Sequence, residues 1–217
     1  MKRIGKLALA LMAAAALVTG CAGIGTSGGG KPTENSVMIE KDGSIRWASV
    51  ETYENGDYTE GELKEAVEKR IIDFNSSLGK AASAKNTDGA EKLPVALVSA
   101  SLGDGKASTV TEYDSAPRLV EFAQEIGDYN VTFTALDMGR VAVLGQQLDG
   151  VSFKDEKGAA ADTGTVVSDG QRMFVKAEGP GVIKAEKKVL YVSDGCMLRD
   201  SYTVETPAEG TSYIILN

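Results

Sequence analysis

The sequence has 217 residues, of which 31 are acidic and 23 basic, so its formal charge is −8; it contains two cysteines and no histidine. The lack of histidine excludes Ser-His-Asp and Cys-His catalysis, and it excludes histidine-ligated zinc. The acidic balance excludes binding to nucleic-acid phosphates, which requires clustered lysine and arginine side chains.

The first twenty-one residues have the pattern of an export signal. Residues 2–6 carry three basic side chains, and the twelve residues 7–18 are apolar. A membrane-spanning helix needs about 20 apolar residues, so this stretch is too short to cross a bilayer and fits a signal peptide over residues 1–20. Its end, Val18-Thr19-Gly20-Cys21, resembles the lipobox of bacterial lipoproteins.

The lipobox resemblance implies that Cys21 is lipidated and becomes the first residue of the mature chain. Two acyl chains on Cys21 would anchor the protein stably, whereas one chain binds a membrane only marginally. The expected location is therefore the extracytoplasmic face of the cell membrane. Removal of residues 1–20 takes away three basic residues and no acidic ones, so the formal charge falls from −8 to −11. An ordinary secretory signal or an uncleaved N-terminal anchor is the alternative interpretation.

The segment that follows Cys21 predicts a tether. Residues 22–35 are rich in glycine, serine and threonine, which is typical of a flexible linker. Such a linker reaches on the order of 20 Å. Residues 21–35 are thus the lipidated cysteine with its tether, and residues 36–217 are the globular part. The layout resembles that of uncharacterised surface lipoproteins of low-GC Gram-positive bacteria.

The globular part begins with a predicted hairpin and helix. Residues 37–39 and 45–50 are β-prone and flank Asp42-Gly43, which favours a tight turn. Thr59 and Glu62 form a capping-box pattern for a helix. Its apolar stripe has helical spacing, and Gly79 follows as the expected C-terminal residue. The stripe consists of Leu63, Val67, Ile71, Phe74 and Leu78.

A second hairpin and helix follow. Residues 93–101 and 107–113 predict two strands around a glycine-rich turn at 103–105. A helix is expected from about 114–117, with a proline in its first turn, to Gly127. Residues 131–134 predict a strand, and residues 140–148 fit either a strand or a short helix.

Beyond residue 150 the sequence consists of short β-prone runs separated by turn residues. The predicted fold class is α+β, with two amphipathic helices packed on antiparallel sheet and a β-rich meander or sandwich in the C-terminal half. Residues 150–165 are either a linker between two subdomains or a long surface loop. The β-prone runs are 151–153, 165–167, 173–176, 182–184, 189–192, 202–204 and 212–216.

Three sequence patterns that could indicate a catalytic or metal site are weak. Ser77-Leu78-Gly79-Lys80 resembles the Ser-x-x-Lys motif of penicillin-binding proteins and serine β-lactamases, but it lies at the end of a helix and lacks the accompanying motifs. The Asp-Gly pairs are explained by hairpin turns and lack calcium-loop spacing, so neither a metal nor a cofactor is expected. Cys196 has Arg199 as its only cation close in sequence, and a small buried side chain is the favoured interpretation.

Aromatic side chains provide the candidate ligand contacts. Trp47 is the only tryptophan, and Tyr53 and Tyr58 follow nearby, so the three rings are candidates for a carbohydrate-stacking platform. The competing and favoured interpretation is that Trp47 anchors the core, because a lone aromatic residue usually does.

The sequence therefore predicts a membrane-tethered extracytoplasmic domain that is a non-enzymatic binding or structural module, with an envelope protein or a glycan as its partner. A hydrolase of cell wall or glycan that uses carboxylates alone is the first alternative. The second is a substrate-binding lipoprotein of a transporter, although such receptors usually have two lobes with repeated βαβ units. Two converging carboxylates in a deep cleft would favour the hydrolase, and exposed aromatic rings on a shallow surface would favour the binding module.

Overall fold

The computed structural model describes residues 31–54 and 58–217. The predicted signal peptide, the lipobox and Cys21 lie outside these residues. None of the helices in the described part of the chain has both the length and the apolar character that crossing a membrane requires.

The first two predicted elements form as their local signals indicate. Strands β1 (Ser36–Ile39) and β2 (Ile45–Thr52) make an antiparallel hairpin, with Gly43 at φ 86° in the turn. Helix α1 (Glu60–Ser77) starts at a full capping box, in which Thr59 and Glu62 bond each other's backbone N–H groups. Capping satisfies donors that the first helical turn leaves free.

The second hairpin and helix also form. Strands β3 (Val95–Gly103) and β4 (Lys106–Tyr113) pair around Asp104 and Gly105, whose φ values of 54° and 69° are those of a tight hairpin turn. Helix α2 (Ala116–Ile126) ends where Gly127 adopts a left-handed conformation with φ 67°. Glycine takes this conformation without a steric penalty.

Two strand predictions in the middle of the chain are wrong. Residues 131–134 are not a strand; β5 (Ala135–Arg140) starts at the residue that pairs with Glu178. The partner strand ends at Glu178, so regular strand pairing stops there, and the N–H of Thr134 makes one last bond of 2.9 Å to the Glu178 carbonyl. Residues 165–167 are not a strand either, since the Asp162 carboxylate accepts the N–H of Gly164 at 2.8 Å and starts the short helix α3 (Thr163–Val166).

Residues 140–148, for which the sequence allows either a strand or a short helix, form two 3₁₀ turns, Val141–Val143 and Gly145–Leu148. Two strands, at residues 160–161 and 197–200, form where none was predicted. The remaining strands are β6 (Phe153–Asp155), β7 (Ala160–Ala161), β8 (Met173–Glu178), β9 (Gly181–Ala185), β10 (Val189–Ser193), β11 (Met197–Asp200), β12 (Thr203–Thr206) and β13 (Thr211–Leu216).

The strands form two sheets, and the α+β class is confirmed. The first sheet has the order β11-β12-β9-β1-β2-β4-β3, and the second has the order β5-β8-β13-β10-β6-β7. All described pairs are antiparallel except β1 with β9. Strands from both halves of the chain therefore lie side by side in the first sheet, whereas the second sheet is formed by strands from residues 135–216.

Two hydrophobic clusters explain why the second sheet is so apolar. The main cluster joins residues of both sheets with residues of α1 and α2, among them Trp47, Phe74 and Phe122. A smaller cluster covers the other face of the second sheet with the 3₁₀ turns and α3. In β13, Ile214 belongs to the main cluster and Ile215 to the smaller one. A strand buried on both faces reads as a continuous apolar run, as residues 212–216 do.

Candidate functional site

Trp47 lies in the core, on a face of β2 that becomes polar towards the end of the strand. The pairing of β2 with β4 has no bulge, so Ile45, Trp47, Ser49 and Glu51 share one face. Trp47 is 4% exposed and belongs to the main cluster. Its buried indole N–H has no hydrogen-bond partner among the described residues. This donor is the first sign of a site at the polar end of the face.

Asp128 lies opposite the Trp47 indole because of how α2 ends. The left-handed Gly127 turns the chain, and the N–H of Asp128 bonds the carbonyl of Ala123 at 2.8 Å. Burial raises the pKa of the half-buried Asp128 carboxyl. Hydrogen bonds from Asn130, the positive charge of Arg70 and the facing indole N–H of Trp47 offset part of this rise. The indole N–H thus points at the Asp128 carboxylate and interacts with it, although the pair does not form a hydrogen bond of regular geometry.

Asn130 connects Asp128 to a second carboxylate. Its backbone N–H donates to Asp128 Oδ1 at 2.9 Å, and its Nδ2 donates to Glu51 Oε1. Its Oδ1 accepts a bond of 3.3 Å from Asn35, which in turn accepts the N–H of Val50 at 2.6 Å. We call Asn35, Trp47, Glu51, Asp128 and Asn130 the Asp128 site.

Tyr53 and Tyr58 form a pair of rings just beyond the end of β2. Their ring centroids are 5.6 Å apart with 38° between the planes, and both residues are half-buried. The N–H of Tyr53 bonds the carbonyl of Gly105 at 3.0 Å, so the extended backbone of β2 continues and directs Tyr53 to the side that Glu51 occupies. Tyr129, between Asp128 and Asn130, is 82% exposed.

The structure brings Tyr53 and Tyr58 together but keeps Trp47 apart from them. Tyr53 lies six positions after Trp47 along the extended backbone of β2 and the residue that follows it, a distance of about 20 Å. The three rings therefore do not form one surface. Cys21, the predicted lipidation site, lies outside the described residues.

A groove of about 370 Å³ lies at the opposite end of the first sheet, where its charges are already paired. Arg46 bonds Glu40 at 3.0 Å and Glu112 at 3.2 Å, and Lys92 bonds Glu112 at 3.2 Å. Burial raises the pKa of Glu40; Arg46 lowers it, and a hydrogen-bonded Glu186 carboxyl raises it further.

A second groove, of about 330 Å³, is lined mainly by hydroxyl and backbone groups. Thr211 Oγ1 bonds Glu178 at 3.3 Å, and Thr132 Oγ1 bonds the carbonyl of Pro180. These bonds use the polar side chains of the groove for the fold, so it offers few free groups for a ligand.

The weak motifs do not assemble into sites. Ser77 Oγ donates to the carbonyl of Phe74 at 2.7 Å, while Lys80 pairs with Glu91 at 2.7 Å, so these two side chains have different partners. Cys196 is half-buried, with its sulfur 3.7 Å from Ser193 Oγ. Within the described residues, no three acidic or cysteine side chains come together as metal ligands.

The sequence analysis missed Asp128, Asn130, Glu51 and Asn35. One signal was available: Ser49 and Glu51 continue the inward-facing positions of Ile45 and Trp47, and polar residues on a core-facing side break the expected pattern. No local pattern indicates that Asp128 and Asn130 come to lie beside them.

Comparison with known proteins gives no functional assignment, because no family model, no curated protein and no solved structure matches the chain. The functional argument therefore rests on the residues and on the geometry of the Asp128 site. That site combines two carboxylates, two amides and the Trp47 indole.

Proposed function

We propose that the chain is a lipid-anchored extracytoplasmic domain that binds a ligand without catalysing a reaction. The observation that carries this proposal is Val18-Thr19-Gly20-Cys21 after a short apolar stretch with a basic start. An apolar stretch of this length fits a cleaved signal and not a membrane span. A lipid on Cys21 then holds the domain at the membrane surface.

The acidic charge supports a role away from the lipid surface. The mature chain has a formal charge of −11, so an anionic membrane or wall repels the domain and keeps it extended on its tether. Arg199 and Lys184 are bound to Glu34, at 2.7 and 2.8 Å, so these two cations are used to attach the start of the domain.

The proposal includes a rigid support for the Asp128 site. The two amphipathic helices pack on the mostly antiparallel first sheet, and the contact between Phe74 and Phe122, with centroids 5.1 Å apart, supports this arrangement. Ile71 of α1 and Leu119 of α2 are fully buried in the main cluster. A site that follows two packed helices keeps its geometry when a ligand arrives.

The lipid anchor is tested by fractionating cells that express the wild type, Cys21→Ala or the control Cys196→Ala, and by weighing the mature N-terminus. We expect a lipid adduct on Cys21 and a membrane-bound protein for the wild type and for Cys196→Ala. Cys21→Ala should lose the adduct and leave the membrane fraction. An unmodified wild-type N-terminus in the culture fluid would contradict the proposal.

The Asp128 site also favours a second candidate function, a carboxylate-dependent glycan hydrolase. Asp128 and Glu51 both bond Asn130, and burial raises the pKa of Asp128 as a general acid requires. Hydrolysis of bound glycan, measured as new reducing ends and lost in both Asp128→Asn and Glu51→Gln, would replace the binding module with this function.

A further inference from the structure

The first five described residues are attached to the first sheet before β1 begins. Asn35 accepts the N–H of Val50 at 2.6 Å, and Glu34 bonds cations of β9 and β11. Lys31 lies beside Gly103, since a Cβ on that glycine would be 3.0 Å from the Lys31 Nζ atom. These contacts leave only residues 22–30 between the attached segment and Cys21.

The attached segment lies at one end of the sheet. The pairing of β2, β4 and β3 aligns Thr52 with Lys106 and Lys106 with Gly103. We call the end formed by these three residues the entry end, because Lys31 lies beside Gly103. The chain therefore joins the domain at a defined end of the strands.

The groove of about 370 Å³ lies towards the other end of the same strands. Arg46 and Glu112, which line it, pair across β2 and β4 six register positions from the entry end. Residues of a strand advance by about 3.3 Å each, so the groove is about 20 Å from the entry end. The exposed Asp88 also lines the groove.

We propose that the domain is held with its entry end towards the lipid surface, so that the groove at the other end faces away from the membrane. This inference rests on the proposed lipid anchor, and it adds which surface of the domain meets the bilayer. Cys21 and Lys31 are joined by ten peptide units, which span at most about 36 Å. Acyl chains on Cys21 lie in the bilayer, so the entry end stays within this reach of it.

The length of the connection disfavours the opposite orientation. With the groove against the lipid, the chain from Lys31 would have to run back along the sheet for about 20 Å. A glycine-rich linker of this length typically spans about 17 Å. The inverted domain would therefore need a stretched connection, and stretching costs conformational entropy.

The surface that this orientation turns towards the lipid carries tyrosines. The N–H of Tyr53 bonds the carbonyl of Gly105, in the turn that closes the entry end. Asn35 bonds Asn130 at 3.3 Å, so the neighbouring Tyr129, which is 82% exposed, lies on the same side of the domain. Tyrosine is enriched where proteins meet the headgroup level of a bilayer, which suits this surface to face lipid.

Energy transfer to the bilayer tests the orientation. Lys106→Cys at the entry end and Asp88→Cys at the groove replace exposed residues and give one labelling site each. Both are made in the full-length protein with Cys196→Ser, in which the lipid occupies Cys21. The lipidated proteins carry the same fluorescent donor and are reconstituted into phosphatidylcholine vesicles that contain an acceptor-labelled lipid. We expect transfer from position 106 to be at least twofold higher than transfer from position 88.

A longer connection is the matched control. An insertion of about twenty glycine and serine residues after Gly25 adds at most about 70 Å of reach. The domain can then turn over, so the difference between the two labelled positions should shrink or vanish. Circular dichroism melting confirms that the labelled variants and the insertion variants are folded.

Three results would overturn the inference. In lipidated, vesicle-bound protein with the natural connection, these are equal transfer from both positions or higher transfer from position 88. The third is a difference that the insertion leaves unchanged, because the connection would then not set the orientation.

Failure of the anchor is a separate outcome. A protein whose N-terminus has no lipid adduct by mass and that does not bind the vesicles would contradict the proposed anchor, and the orientation with it. Lipidated protein that binds the vesicles but shows equal transfer contradicts the orientation alone. The two failures are therefore distinguishable.

Discussion

Asp128 lies in surroundings that solvate a charge poorly, because burial raises the pKa of its carboxyl and the groups that face it compensate only in part. Those groups are the Asn130 N–H, the Arg70 guanidinium and the Trp47 indole, and the buried Tyr113 hydroxyl is also close enough to interact. A carboxylate kept in such a place is more typical of a functional site than of a structural one.

This environment makes stability depend on pH in a defined direction. Between the ordinary pKa of 3.8 and the raised folded value, the folded state binds more protons than the unfolded state. The free energy of unfolding therefore falls as pH rises through that window and stays lower above it. Asp128→Asn should remove this contribution, so its stability gain over the wild type should be largest near neutral pH and vanish below pH 3.8. Urea unfolding of both proteins from pH 3 to 8 measures the difference, and a gain that is independent of pH would contradict the assignment.

Asn75 illustrates a buried polar residue with a structural role. Its side chain bonds the carbonyl of Ser83 at 2.9 Å and both backbone groups of Val95, at 2.8 and 3.1 Å. Asn75→Ala leaves these buried groups unpaired, and each such group costs about 1–3 kcal/mol. We expect the free energy of unfolding to drop by about 3 kcal/mol in urea titrations. The neighbouring, exposed Ser76→Ala should change it little, and equal losses in the two variants would refute this role.

At the scale of elements, the sequence predicts those structures whose hydrogen bonds join residues that are close in sequence. The capping box of α1, the left-handed Gly127 after α2 and the turn at Asp104-Gly105 each involve residues within a few positions of one another. The strand expected at 131–134 and the helix α3 depend instead on where β8 ends and on what Asp162 caps. The end of β8 is distant in sequence from residues 131–134, and the Asp162 cap competes with the β-propensity of residues 165–167. Propensity alone therefore predicts neither outcome.

The turn between β8 and β9 shows how closely two elements approach. A Cβ on Gly179 would lie 2.5 Å from the carbonyl oxygen of Thr132, whereas a Cβ on Gly210 would meet nothing within 4 Å. Both glycines have a positive φ, 94° and 85°. Alanine at either position therefore has a similar backbone penalty, about 1 kcal/mol, and only Gly179→Ala adds a clash.

We expect Gly179→Ala to lose at least 1 kcal/mol more stability than Gly210→Ala, since the atom it meets belongs to the backbone and cannot rotate away. Thermal unfolding of the two variants gives the comparison directly. Equal melting temperatures would show that residues 132–133 move away from the turn at little cost.

At the scale of the whole molecule, the Asp128 site draws on segments that are far apart in sequence. Asn35 precedes β1, Glu51 lies in β2, and Asp128 and Asn130 follow α2. Hydrophobic patterning predicted β1, β2 and α2, in or beside which these residues lie. It contains no information about which loop contacts which strand. The polar position of Glu51 on a core-facing side was the only local indication of the site.

Glu34 fixes the point where the predicted tether meets the domain. Burial opposes ionisation of Glu34, yet hydrogen bonds and positive charge from Lys184 and Arg199 outweigh it and lower its pKa. Lys184 belongs to β9 and Arg199 to β11, so the start of the domain is attached to strands near its end. The described chain therefore enters the domain beside β9 and β11 of the first sheet.

From the strand order of the two sheets, we predict that the chain does not divide into two folding units near residues 150–165. The first sheet places β9, β11 and β12 beside β1, and the second interleaves β5 and β6 with β8, β10 and β13. A protease site inserted at 157–159, in the exposed turn between β6 and β7, allows the folded protein to be cut there. Because each sheet needs strands from both fragments, the cut halves should stay associated and melt in one transition, with the uncut insertion variant as control. Once separated in urea and dialysed apart, neither half should unfold cooperatively by circular dichroism, whereas a cooperative transition in an isolated half would establish an independent subdomain.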